Sequence, residues 1–227
     1  MKRLLVALAL IVPVAAAGGV ALLWAARSLP FFRVRQVELM GVRYLAPDVV
    51  LAGLGLAREQ SVFDPTGPIQ DRALRIAGVV SARVHRRLPG SLRIEIVERV
   101  PVALAPSASR MVALDAEGQR LPYDPAATGL DLPVIPSADT LVARALSVIS
   151  ATDTVLYRDV LDARRGPGAT VALRMSGRRR VLLRGVPSSA EIRAVSAVRQ
   201  QLRAGGLPFE ELDARYAGWV VVRRSGS

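Results

Sequence analysis

Few of the side chains that do acid–base, nucleophilic or metal chemistry occur in this chain of 227 residues, and fewer are spaced to act together. Cysteine is absent, which excludes a thiol nucleophile, a cysteine-bound metal and a disulfide framework. His85 is the only histidine. As a general base it would need a nucleophile and an orienting carboxylate, and as a zinc ligand several companions. Its neighbours are instead Arg83, Arg86 and Arg87, so an ordinary strand histidine is the simpler reading. Asp115 and Glu117 could be imagined as an acid pair, but they stand two residues apart in the turn that includes Gly118, and a hairpin turn accounts for them better. Gly53-Leu54-Gly55 has Arg58 where the dinucleotide fingerprint requires its third glycine, and it follows a helical stretch instead of a strand. The run Arg178-Arg179-Arg180 reads as a hairpin tip, with contact to an acidic partner as the rival account. Glu98 and Arg99, at the end of a strand, read as sheet and interdomain contacts. Nothing meets the geometry of an active site, and the expectation is a chain without catalytic residue, metal, cofactor or small-molecule substrate.

Charge and hydropathy patterning ask for a partner of another kind. Lys and Arg outnumber Asp and Glu by 31 to 19, a net charge of +12 that raises nucleic acid or an anionic surface as a partner. Lys2 is the only lysine, however, and the wealth of Arg, Ala, Val and Gly looks like a coding bias. Aromatics are only 4%, too few for base stacking, and nucleic acid is not expected. Leu4 to Ala26 is free of charge, between Lys2-Arg3 and Arg27. As a helix it would reach roughly 34 Å, enough for a hydrocarbon core of about 30 Å. A cleaved signal ending near Ala15-Ala16-Ala17 is the competing reading. Cleavage there would leave an apolar new terminus, which favours an uncleaved anchor with the rest of the chain across the membrane.

Two regions follow. In the first, Phe31 to Gly41 reads as a bulged strand, Pro47 to Leu54 and Pro68 to Ile76 as short helices, and Val79 to Arg87 and Ser91 to Val100 as a hairpin joined by Leu88-Pro89-Gly90. Leu92, Ile94 and Ile96 alternate with Arg93 and Glu95, the pattern of a half-buried strand. The expected core includes Val34 and Leu39 with these three. The second region is richer in proline. It offers a hairpin over Met111 to Leu121, a helix capped by Asp139, strands at Val155 to Ala163, Thr170 to Met175 and Arg180 to Arg184, and a helix from Ser188 with Glu191 at capping-box spacing. PFEELDAR and WVVVRR supply two closing strands.

With these elements placed, the chain resembles the bacterial cell-division family FtsQ, also called DivIB. FRVRQVELMGVRYLAPDVV is similar to the opening strand, glycine and first helix of that family's POTRA domain. AGVVSARVHRRLPGSLRIEIVERVPVA is similar to its hairpin and closing Glu-Arg-x-Pro-Val-Ala. VALDAEGQRLP and LDARYAGWVVVR resemble its later motifs. The resemblance implies an α+β chain: cytoplasmic head 1–3, single N-terminal transmembrane helix 4–26, POTRA domain 27–100 in the order β-α-α-β-β, a mixed β-rich C-terminal domain 101–224 with one or two helices, and a tail 225–227. It implies a non-catalytic scaffold of the division machinery in the cell membrane, the inner one where there are two, with its N-terminus cytoplasmic and its domains outside. It also implies partners, namely FtsB- and FtsL-like small bitopic proteins and, through them, the septal peptidoglycan synthase. An envelope translocation or adhesion module remains the alternative, and an anchored enzyme a further one. The expected partner-binding residues are Tyr216, Trp219, Val220, Val221 and Val222, because a β-prone, proline-free and lysine-free segment near the chain end suits a sheet edge open to strand addition.

Overall fold

A computed structural model describes residues 29–108 and 110–224, and the expected membrane segment 4–26 lies outside them. Among the described residues no helix is long and apolar enough to cross a membrane. The chain divides between Glu98 and Arg99 into two compact units.

The first unit runs β1 (Gln36–Met40), α1 (Pro47–Leu54), α2 (Gly67–Leu74), β2 (Val79–Arg87) and β3 (Ser91–Glu98). Its sheet has the order β1-β3-β2, with β1 parallel and β2 antiparallel to the central strand. The alternation in β3 does what the sequence requires: Leu92, Ile94 and Ile96 are buried under the helices while Glu95 is exposed. Pro47 starts α1 at a position where a missing N–H costs nothing, and Gly55, in the left-handed region, ends it. In α1, Val50 and Leu54 are buried but their neighbour Val49 is exposed. Gly41, at φ +81°, lies so close to the Ile96 carbonyl that any Cβ would collide with it. The strand expected over Phe31 to Gly41 is shorter. Pro30–Phe32 forms a 3-10 turn, with proline at its first position, and β1 begins only at Gln36. The second helix likewise stops at Leu74, leaving Ile76 beyond its end.

The second unit begins with the hairpin β4 (Ala103–Ser107) and β5 (Arg110–Leu114), followed by α3 (Pro125–Thr128), α4 (Thr140–Thr152) and α5 (Thr154–Arg158). Then come β6 (Val160–Arg165), β7 (Thr170–Met175), β8 (Arg180–Arg184), α6 (Ser189–Ala204), β9 (Glu211–Ala214) and β10 (Val221–Arg223). The large sheet has the order β10-β9-β8-β7-β6, antiparallel except for the β8/β9 pair. Val134 extends it by donating to the Leu161 carbonyl and accepting from Ala163, while its neighbours bond to Leu104 of β4. α4 and α6 contribute Leu146, Ile149, Ile192 and Val195 to one core with Val171, Leu173, Val181 and Leu212 of the sheet. Both caps are as the sequence predicts: Asp139 accepts from the Leu141 and Val142 N–H groups, and Ser188 and Glu191 form a reciprocal capping box. The β-branched run at Val155 is not strand. Asp153 accepts from the Val155 and Leu156 N–H groups and nucleates α5, and the strand starts at Val160. Among the described residues this unit thus has two long and two short α-helices, where one or two were expected.

Candidate partner-binding site

The order of the large sheet leaves β10 at its end, paired only with β9 among the described residues. The chain leaves β9 at Ala214, turns at Gly218 with a Trp219 N–H to Tyr216 carbonyl bond of 3.1 Å, and enters β10 at Val221. Strand structure is therefore confined to the last two of the expected site residues and Arg223. Tyr216 and Trp219 stand in the loop before it, 57% and 76% exposed. Val220 and Val222 point inward and pack against the core, whereas Val221 and Arg223 share the exposed face. The backbone parity follows from one bond. The Arg223 carbonyl accepts from Glu210 N–H at 3.0 Å, so Arg223 aims its backbone at β9 and Val222 aims its own at the open edge.

The face away from the helices carries a row of charge across all five strands. Register places Asp162, Arg174, Arg180, Glu211 and Arg223 side by side. Arg174 pairs with Asp162, and buried Glu211 is held between Arg180 at 3.2 Å and Arg223 at 3.4 Å. One row along, Arg215 grips Asp213 through two side-chain bonds of 2.9 and 2.7 Å and holds the Asp213 carboxyl below its ordinary range. Trp219, Val221 and Arg223 border a shallow hollow above these carboxylates. On the other side of the loop, Tyr216, Trp219 and Val220 border an apolar hollow with Ala190 and Ala194 of α6. The two aromatic rings thus overhang both sides of the edge. A larger hollow against β5, lined by Arg110, Met111, Tyr123 and Asp124, brings together no group of reactive side chains.

Residues that could have signalled catalysis have structural partners. Asp115 is buried, accepts from Glu117 and Gln119 N–H and pairs with Arg99 at 3.0 Å, so it builds the turn at Gly118. His85 stands on the exposed face of β2, 3.6 Å from Glu95. Arg178 lies in the β7–β8 turn, and the Arg179 guanidinium sits 5.5 Å over the Phe209 ring. Among the described residues no group of three or more His, Asp or Glu side chains could hold a metal. Glu98, expected to make sheet and interdomain contacts, has a more particular role: both its oxygens accept backbone N–H bonds from Arg43, Tyr44 and Leu45, at 2.8 to 2.9 Å. Nothing in the spacing of a single glutamate announces such a clamp. The charged row was also missed, although Asp-x-Arg in β6, Glu-x-Asp in β9 and the arginines of β7 and β8 were visible as period-two charge.

The family model described as the FtsQ-type POTRA domain matches residues 32–99, which is the first unit. Along the whole chain, the cell division protein FtsQ of Rhodothermus marinus is 30% identical, over 98% of this chain and 87% of its own length. The chain belongs to the FtsQ family of cell-division proteins. FtsQ of Myxococcus fulvus is 28% identical over 92% of the chain and 79% of its own length. FtsQ of Mycobacteroides abscessus is 31% identical over 58% of the chain, a match spanning 44% of that relative. A role in cell division accompanies this membership, and the first unit is a POTRA domain.

Proposed function

We propose that the chain is a non-catalytic scaffold of the division machinery, anchored by residues 4–26 with both units outside the cytoplasm. It binds FtsB- and FtsL-like bitopic proteins, and through them the septal peptidoglycan synthase, by accepting an extended segment along β10. The observation that carries this reading is the construction of that edge: a short valine strand with an outward backbone at Val222, flanked by exposed Tyr216 and Trp219. Main-chain bonds would supply register and the rings would supply anchoring, since aromatic anchors dominate many interface energies.

The test is a pair of prolines. Val222→Pro removes the outward donor, and Val221→Pro removes a donor from the β9 ladder. Capture of an FtsB-like partner is expected to be lost in Val222→Pro with the melting transition retained. In Val221→Pro it is lost together with some stability. A folded Val222→Pro chain that captures the partner as the parent does would move the site away from β10, and the Arg178 to Arg180 turn would be next.

A further inference from the structure

Three stretches of chain meet at one end of the POTRA sheet: residues 29–36 leading into β1, residues 57–64 between the helices, and the Leu88-Pro89-Gly90 turn. Backbone bonds of 2.8 Å join them, from Val34 to Gln60, from Val62 to Phe32 and from Arg35 to Gly90. Gly90 is required there, since a Cβ would stand 2.5 Å from the Arg33 carbonyl oxygen. This end is therefore one built surface, and the chain enters the unit through it.

Its chemistry is that of a membrane interface. Leu29, Phe31 and Leu88 are 49%, 58% and 66% exposed. Phe31 is braced edge-on against Phe32, which packs in turn on Phe63. The three stretches and the end of β2 that leads into the turn carry Arg33, Arg35, Arg58, Arg86 and Arg87, and their acidic residues are Glu59 and Asp64. Asp64 is already engaged by Ser61 N–H and the Gln60 side chain, and Arg86 by the Val62 and Asp64 carbonyls. Exposed Leu and Phe among arginines are the composition of surfaces that settle into anionic headgroups. Only Arg27 and Ser28 separate Ala26, the end of the charge-free run, from Leu29. Three extended residue steps reach about 11 Å at most, so an anchored chain holds this end within reach of lipid, where even weak contacts are populated.

We propose that this end of the POTRA domain seats on an anionic phospholipid surface, with Leu29, Phe31 and Leu88 entering the interface and Arg33, Arg35 and Arg87 meeting lipid phosphates. The proposal rests on residues 4–26 being a membrane anchor.

Because the chain has no cysteine, a single Leu88→Cys carrying an environment-sensitive fluorophore can be placed in the full chain and reconstituted into vesicles. Val155→Cys, exposed on the second unit, is the reference position. With phosphatidylglycerol present, headgroup-bound nitroxide is expected to quench the Leu88 probe several-fold more than the Val155 probe. Phosphatidylcholine alone, or Arg33→Glu with Arg87→Glu, should remove most of that difference. Equal quenching at the two positions in anionic vesicles would overturn the proposal. So would self-quenching that disappears when labelled chains are diluted with unlabelled ones, which would mark the surface as a contact between copies. An alkaline carbonate wash tests the anchor separately: a chain stripped by it would remove the anchor reading, while quenching measured before the wash still decides the docking.

Discussion

Strand β2 ends the POTRA sheet and β10 ends the large one, yet the two edges are differently defended. β2 is nine residues long, carries Arg83, His85, Arg86 and Arg87, and slips register between Val79 and Ser81. Charges and a bulge are the ordinary means of keeping foreign strands off a long edge. β10 has no such bulge in its register with β9, and its one charged residue, Arg223, aims its backbone inward at β9; the outward backbone position is Val222, and exposed Trp219 stands beside the strand. The difference teaches that edge exposure alone does not mark a partner site. What distinguishes the proposed edge at β10 is a valine at its outward backbone position and exposed aromatic rings beside it, whereas its shortness limits how long an added strand can pair.

The comparison breaks most violently in the core of the POTRA sheet. Ile94 is fully buried, and Ile94→Asp would place a carboxylate among Leu92, Ile96 and the helices. The cost is expected to exceed about 4 kcal/mol and to unfold the first unit. If the β10 edge alone sets partner affinity, a chain with this substitution still captures the partner through the second unit. A lost melting transition together with retained capture would sharpen the contrast, whereas lost capture would mean that the POTRA domain shares the site.

Asp159→Ala acts at the other end of the large sheet, where the chain enters β6. Arg199 of α6 is buried and pairs with Asp159 at 2.8 Å, at the junction of α5 and β6. Removing the carboxylate takes the nearest counter-charge from a buried guanidinium and leaves Asp153 as its remaining acidic neighbour, at a cost of about 2–4 kcal/mol. Chemical denaturation of the variant should show that loss, and Asp159→Ala with Arg199→Met should recover part of it.

Val221→Lys converts the open edge toward the guarded kind. The side chain lies on the exposed face, half exposed, so stability is expected to change by less than about 0.5 kcal/mol. Partner capture should weaken roughly tenfold, or about 1.4 kcal/mol, if an added strand lies against it. Titration calorimetry that finds unchanged affinity would separate the site from the edge.

These regions also differ in how much the sequence disclosed. The period-two run Leu92-Arg93-Ile94-Glu95-Ile96 sets a face and a register, and the motifs around it are dense, so most of the first unit is legible, although Val34 and Leu39, expected in the core, are only half-buried. In the second unit the caps at Asp139 and Ser188 and the strands at Thr170 and Arg180 are legible too, because each carries a local signal. What was hidden is non-local. Val155-Leu156-Tyr157 has the composition of a strand, and only the Asp153 cap and the burial of Leu156 and Tyr157 make it helical. The stretch Pro133-Val134-Ile135 joins β4 to β6 through bonds to residues about thirty positions away on either side, which no window of sequence contains. The aromatic pair at the candidate site could be read from composition and chain position, but the outward parity of Val222 needed the Arg223 bond.

The smallest expected effect concerns acid. Asp213 is held below the ordinary carboxylate pKa of 3.8, chiefly by its side-chain bonds to Arg215 and further by the Arg215 backbone N–H and the charge of Arg223. Asp139 is lowered as well, first by Arg165, and both lie in the second unit. A depressed folded value means that the unfolded chain takes up protons first as the pH falls. The stabilisation is therefore complete above the ordinary carboxylate value and is lost as the pH drops through the lower folded one. The guanidinium partners are partly exposed, so the contribution is small and weakens with salt. Asp213→Asn keeps the shape and removes the charge. Its melting temperature should fall below the parent's at pH 6 and approach it as the pH drops progressively below 3.8, whereas a constant gap across that range would show that Asp213 acts through packing and hydrogen-bond geometry and not through its charge. Since Arg215 leads directly into Tyr216, an acid-sensitive pair would also tie the placement of the aromatic loop to pH, and partner capture by the parent should decline over the same interval.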